Sequence, residues 1–86
     1  MKIVMKPVEV LAWFSCEGNP KPIRFRFLQQ GAYKTVKVDR IMQEAEERQA
    51  GNRTRVYRCQ SLIQNTEKVY ELAYEISACK WYLYKI

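Results

Sequence analysis

The 86-residue sequence contains no histidine. Its absence removes the side chain that most readily moves protons near neutral pH, and with it Ser-His-Asp triads, Cys-His pairs and histidine-ligated metals. Cysteine is scarce: Cys16, Cys59 and Cys79 are three, an odd number without a Cys-x-x-Cys pair. Neither a disulfide framework nor a zinc knuckle is legible in them, and Cys59 falls on an inward position of a strand with no partner base. Gly18, Gly31 and Gly51 each stand alone at a turn or cap, not in a phosphate-cradling loop. Long apolar runs are also missing, since nothing approaches the roughly 20 residues that cross a bilayer as a helix. The segment Met1 to Pro7 has no apolar stretch leading to a cleavage site. These absences predict a cytoplasmic protein with no enzymatic activity, no cofactor or metal and no membrane insertion.

What remains suits one small domain over residues 1–86. Hydrophobic residues make up 48% of the chain and aromatics 13%, enough to build a core and to argue against global disorder. The formal charge of +6 favours an acidic partner. Residues 1–40 hold eight basic and three acidic side chains, while residues 41–86 hold seven and six, so the excess lies in the first half.

The pattern predicts an all-β fold with one short helix. Val8 to Cys16 is rich in β-branched and aromatic residues and stops at Glu17-Gly18-Asn19-Pro20-Lys21-Pro22. Ile23 to Phe27 alternates strictly between apolar and basic, and Tyr33 to Ile41 resumes that period after Gln29-Gln30-Gly31-Ala32. Residues 43–50 break the alternation with good helix formers and are followed by Gly51, the pattern of a short helical linker with a glycine cap. Thr54 to Ile63, Lys68 to Ile76 and Lys80 to Ile86 form three more alternating runs. The plan is two three-stranded antiparallel meanders forming a small barrel or folded sheet. The acidic trio Glu44, Glu46 and Glu47 reads as solvated charge on the linker.

Two registers follow. A Gln30-Gly31 turn sets Phe25 against Val36 and Ile23 against Val38 inside, with Arg24 against Lys37, Arg26 against Thr35 and Leu28 against Tyr33 outside. An Asn65-Thr66 turn sets Cys59 against Leu72 and Tyr57 against Tyr74 inside, with Arg58 close to Glu71 and Glu75 outside. Trp81 and Leu83 then face inward, and Tyr82 and Tyr84 outward. In this reading Arg24, Arg26 and Lys37, interleaved with Tyr33, are the one basic patch that hairpin pairing leaves unneutralised. Cations around an exposed ring are how β surfaces hold single-stranded nucleic acid. The same alternation also serves solubility and protection of a sheet edge. An internal pocket lined by Tyr57, Tyr70 and Tyr74 is a further possibility, set against the tendency of small barrels to fill with side chains.

Several residues together resemble a small bacterial all-β family of unknown function, often encoded beside Y-family lesion-bypass DNA polymerases. They are Pro7-Val8-Glu9-Val10, then Pro22, Phe25, Gly31, Tyr33 and Val36, then Tyr70-Glu71-Leu72 with Tyr74, and Trp81-Tyr82-Leu83. The acidic segment Glu44 to Arg48 stands where relatives often carry tryptophans. The resemblance implies no catalytic residue. It implies a setting in DNA damage tolerance, with single-stranded DNA or a Y-family polymerase as partner. The expected nucleic-acid-binding residues are Arg24, Arg26, Lys37 and Tyr33. The alternative is a module that docks on a polymerase, or self-associates as a homo-oligomer, through Tyr82, Tyr84 and a sheet edge.

Overall fold

The computed structural model describes all residues, Met1–Ile86. Seven strands follow one another: β1 (Ile3–Phe14), β2 (Pro20–Gln29), β3 (Ala32–Lys37), β4 (Arg40–Gln49), β5 (Asn52–Ile63), β6 (Thr66–Glu75) and β7 (Lys80–Lys85). All pairings are antiparallel, in a single sheet ordered β3-β2-β1-β7-β6-β5-β4. The sheet is not closed, because β3 and β4 end the order without pairing. There is no helix, and therefore none long and apolar enough to cross a membrane.

The predicted helix at 43–50 is instead most of β4. Its residues favour helix in isolation, but Ala50 and Gly51 both have positive φ (51° and 82°), the conformation of a tight hairpin turn. Gly51 is thus a turn residue and not a helix cap. The hairpin sets Glu46 beside Arg53 at 2.9 Å and Glu44 beside Arg55 at 3.0 Å, so tertiary pairing outweighs the local preference. The expected third strand, Tyr33 to Ile41, is likewise divided: β3 ends at Lys37, and Arg40 and Ile41 already belong to β4.

The first hairpin has the expected register, with Phe25 against Val36 and Arg24 against Lys37. The second slips by two residues: the turn is Gln64-Asn65, so Tyr57 meets Leu72 and Cys59 meets Tyr70. A shift of two keeps every side chain on its expected face, and it brings Arg58 directly opposite Glu71.

β1 joins the two halves. Ile3 to Val8 pair with β7, and Glu9 to Phe14 pair with β2. The strand begins five residues earlier than the sequence pattern suggests, because an irregularity between Ile3 and Lys6, with Met5 at φ 42°, interrupts the alternation.

The two outermost strands are linked by only Val38 and Asp39. Laid flat, seven strands would separate β3 from β4 by about 29 Å. Three Cα steps reach at most about 11 Å, so the sheet must curl until its ends meet at that corner. Three hydrogen bonds hold it there: Ser61 Oγ donates to the Lys37 carbonyl (2.6 Å), Asp39 N–H to the Gln60 carbonyl (3.2 Å), and Leu62 N–H to Asp39 Oδ2 (2.8 Å).

The curl encloses Phe25, Val36, Tyr57, Cys59, Tyr70, Leu72, Tyr74, Trp81 and Leu83, with Val8, Val10, Ala12, Phe27 and Val38 packed around them. Tyr57, Tyr70 and Tyr74 fill this interior and do not line an empty pocket. The Tyr57 hydroxyl donates to the Pro20 carbonyl, the Tyr70 hydroxyl bonds Ser61 Oγ at 2.6 Å, and the Tyr74 ring packs 4.8 Å from Trp81. Burial raises the pKa of all three phenols, so they remain neutral inside.

Candidate nucleic-acid interface

The outer face of β1, β2 and β3 carries the predicted patch. On β1, Val8, Val10 and Ala12 pack against the core, so Glu9, Leu11 and Trp13 project the other way. On β2, Lys21 lies between the buried Pro20 and Pro22, and Arg24, Arg26 and Leu28 are on the outer side around buried Phe25 and half-buried Phe27. On β3, Tyr33, Thr35 and Lys37 share the outer face. The registers order these side chains into rows: Trp13 beside Lys21, then Leu11, Arg24 and Lys37, then Glu9, Arg26 and Thr35, and finally Leu28 beside Tyr33.

Four cations and one carboxylate occupy the face. The carboxylate, Glu9, accepts from Arg26 Nε at 2.6 Å, and the same guanidinium lies 4.4 Å over the Tyr33 ring. Arg26 is thus neutralised, which corrects the expectation from the hairpin alone: the counter-charge comes from β1, the strand on the far side of β2. The pairing also raises the pKa of Arg26, chiefly through that hydrogen bond. Arg24, Lys37 and Lys21 take part in none of the four ion pairs of the protein. Asp39, the acidic residue nearest Lys37 in sequence, is turned away to cap the Leu62 amide. A shallow cleft of about 350 Å³ runs over this surface, lined by Glu9, Leu11, Arg24, Arg26 and Thr35 among others.

No family model, curated protein or solved structure matches the chain.

The apolar component of the face is larger than hairpin reasoning suggests. Trp13 is 73% exposed, Leu11 58%, Leu28 57% and Tyr33 55%. Trp13, Leu11 and Lys21 are additions to the expected set. The signal for them lies in the first strand, where Val8, Val10 and Ala12 claim the core parity and leave a tryptophan on the solvent parity. Trp13 and Tyr33 are thus large aromatic side chains left in water among cations.

The second half of the sheet differs. Its outer-face charges compensate one another: Glu71 accepts from Arg58 Nε and Nη2 at 3.2 and 3.1 Å. Tyr82 and Tyr84 do point outward, yet both are half-buried. Tyr82 lies between Ala73 and Pro7 on the neighbouring strands, and Tyr84 has the Lys85 ammonium 4.9 Å from its ring and lines a cleft of about 260 Å³ with Val56, Arg58 and Glu71. Glu44 and Glu46, expected as free solvated charges, are both ion-paired, and the Arg53 hydrogen bond lowers the pKa of Glu46. Cys16 and Cys79 are exposed and Cys59 is buried, its thiol pushed up to about 12 by desolvation. His, Cys, Asp and Glu side chains nowhere cluster in threes as a metal site would need.

Proposed function

We propose that this protein is a non-enzymatic accessory module of DNA repair or lesion bypass that binds single-stranded DNA weakly through the outer face of β1, β2 and β3. One observation carries the reading. Arg24 and Lys37 face each other across the first hairpin with no carboxylate paired to either, between the exposed rings of Trp13 and Tyr33. Like charges placed opposite each other on a sheet are mildly destabilising, and an anion between them offsets that cost. Phosphates satisfy the cations and bases stack on the rings. The repair setting rests on the resemblance to the polymerase-associated family.

The test is the affinity for labelled oligo(dT) at 50 and 200 mM salt. Phosphate contacts make binding fall steeply with salt, and Arg24→Gln with Lys37→Gln should flatten the log-log slope by roughly 0.7 for each phosphate no longer held. Absence of binding at low salt would retire the reading. The unpaired edges of β3 and β4 favour a second one, docking of a polymerase or of another copy of the chain along an edge, with Tyr82 and Tyr84 on the outer face.

A further inference from the structure

Trp13 and Tyr33 stand at opposite ends of the basic face. Trp13 is in register with Lys21, and Tyr33 with Leu28. Along β2 these partners are seven residues apart, with one irregularity opposite the Leu11/Ala12 step, so the two rings lie roughly 20 Å apart along the strand direction. Two rows lie between them: Leu11, Arg24 and Lys37, whose two cations have no ion-pair partner, and Glu9, Arg26 and Thr35, in which Glu9 and Arg26 neutralise each other. The rings are prepared differently: Tyr33 is braced by the Arg26 guanidinium at 4.4 Å, whereas Trp13 is 73% exposed.

We infer that Trp13 and Tyr33 are two separate base-stacking platforms, bridged by one oligonucleotide whose intervening phosphates lie on Arg24 and Lys37. This deepens the proposed function and rests on it. A stacked strand advances about 3.4 Å per nucleotide, so roughly six nucleotides span the gap, and fewer do so if the bases are splayed. A dinucleotide reaches one ring only. An eight-nucleotide strand reaches both, and the second contact becomes intramolecular, multiplying affinity without a new kind of contact. The ligand class is therefore single-stranded nucleic acid above a threshold length and bearing bases, as distinct from polyanions in general.

The experiment titrates the full chain at low salt with oligo(dT) of two, four, eight and twelve nucleotides, and with an eight-unit abasic strand. Affinity should step upward between four and eight nucleotides by more than the added charge gives. Trp13→Ala and Tyr33→Ala should each weaken eight-nucleotide binding roughly 5- to 100-fold, the range expected when one base loses its stacking partner, while changing dinucleotide binding by no more than about twofold. Trp13→Phe should restore most of the eight-nucleotide affinity, and melting curves of the variants should coincide with that of the unmodified protein. Equal binding of the abasic strand, or Trp13→Ala affecting all lengths alike, would overturn the two-platform arrangement while leaving basic-face binding standing. No binding at any length would overturn both.

Discussion

The Arg26 guanidinium is held in a sandwich, its Nε donating to Glu9 at 2.6 Å while its plane covers the Tyr33 ring at 4.4 Å. The sandwich divides the labour of the basic face. Arg26 braces a ring, and Arg24 and Lys37 are left without an ion-pair partner.

Glu9→Gln should release that constraint. Arg26 then becomes a further free cation, so oligo(dT) affinity at low salt should rise and the salt slope should steepen by roughly 0.7. Anisotropy titrations at several salt concentrations check both quantities. An unchanged slope would mean that Arg26 does not reach phosphate even when unpaired. Stability should hardly move, because both partners of the pair are solvent-exposed.

Phe25→Ala and Trp81→Ala remove large buried side chains, 2% and 9% exposed, from the centre of the curl. Each should cost about 3 to 5 kcal/mol, a large part of the stability of so small a domain. Chemical denaturation read by circular dichroism is the measurement. A transition midpoint within error of the unmodified protein would mean the side chain is not packed.

The three thiols should separate into two classes. Cys16 and Cys79 are exposed and should react promptly with a disulfide reagent at neutral pH, whereas Cys59, buried with its pKa pushed up to about 12, should react only when the protein opens. The pH dependence has a definite sign. The folded pKa is raised above the ordinary value of 9.0, so the unfolded chain releases this proton first. The stability that Cys59 contributes is present below about pH 9 and is lost between there and about pH 12. Buried Tyr57 and Tyr70, also raised, act in the same direction. Thermal melts from pH 8 to 11 should decline steadily, and a flat profile would contradict the burial of all three.

Gly51→Val should disrupt the β4–β5 hairpin, since φ 82° is strained for a β-branched residue even though open space surrounds the position. A loss of about 1 to 3 kcal/mol is expected, with disordering confined to β4. Glu46 provides the local probe. Its pKa is lowered in the folded state by Arg53, so the ion pair persists above the ordinary carboxylate range and is lost as pH falls through the lowered value. In the Gly51→Val variant, NMR titration of Glu46 should show its pKa returning towards 4.5.

The inner and outer faces of the sheet are legible in the sequence because side-chain alternation survives errors in turn placement. The Gln64-Asn65 turn lies one residue from the expected site and shifts the pairing by two, yet Tyr57, Cys59, Leu72, Tyr74, Trp81 and Leu83 all remain inside. Residues 43–50 mislead because Gln, Glu, Ala and Arg carry a helical preference that only the neighbouring strand overrules. Arg53 and Arg55, across the turn, supply partners that a local window does not contain. The site is half legible for a similar reason. Arg24, Lys37 and Tyr33 follow from one hairpin, whereas Glu9, Leu11 and Trp13 enter only when β1 is known to lie on the other side of β2.

The two-residue corner at Val38 and Asp39 makes the opposite borders of the sheet neighbours in sequence as well as in space. A border strand of an open sheet is ordinarily a template along which further chains can add without limit. In this fold the Ser61, Asp39 and Leu62 hydrogen bonds tie the end of one border, β3, and the corner after it to β5, the strand beside the other border. Asp39→Ala with Ser61→Ala removes the two side-chain hydrogen bonds at the corner while leaving the chain connection, so the β3 border should loosen there, and sedimentation should show more self-association than for the unmodified protein.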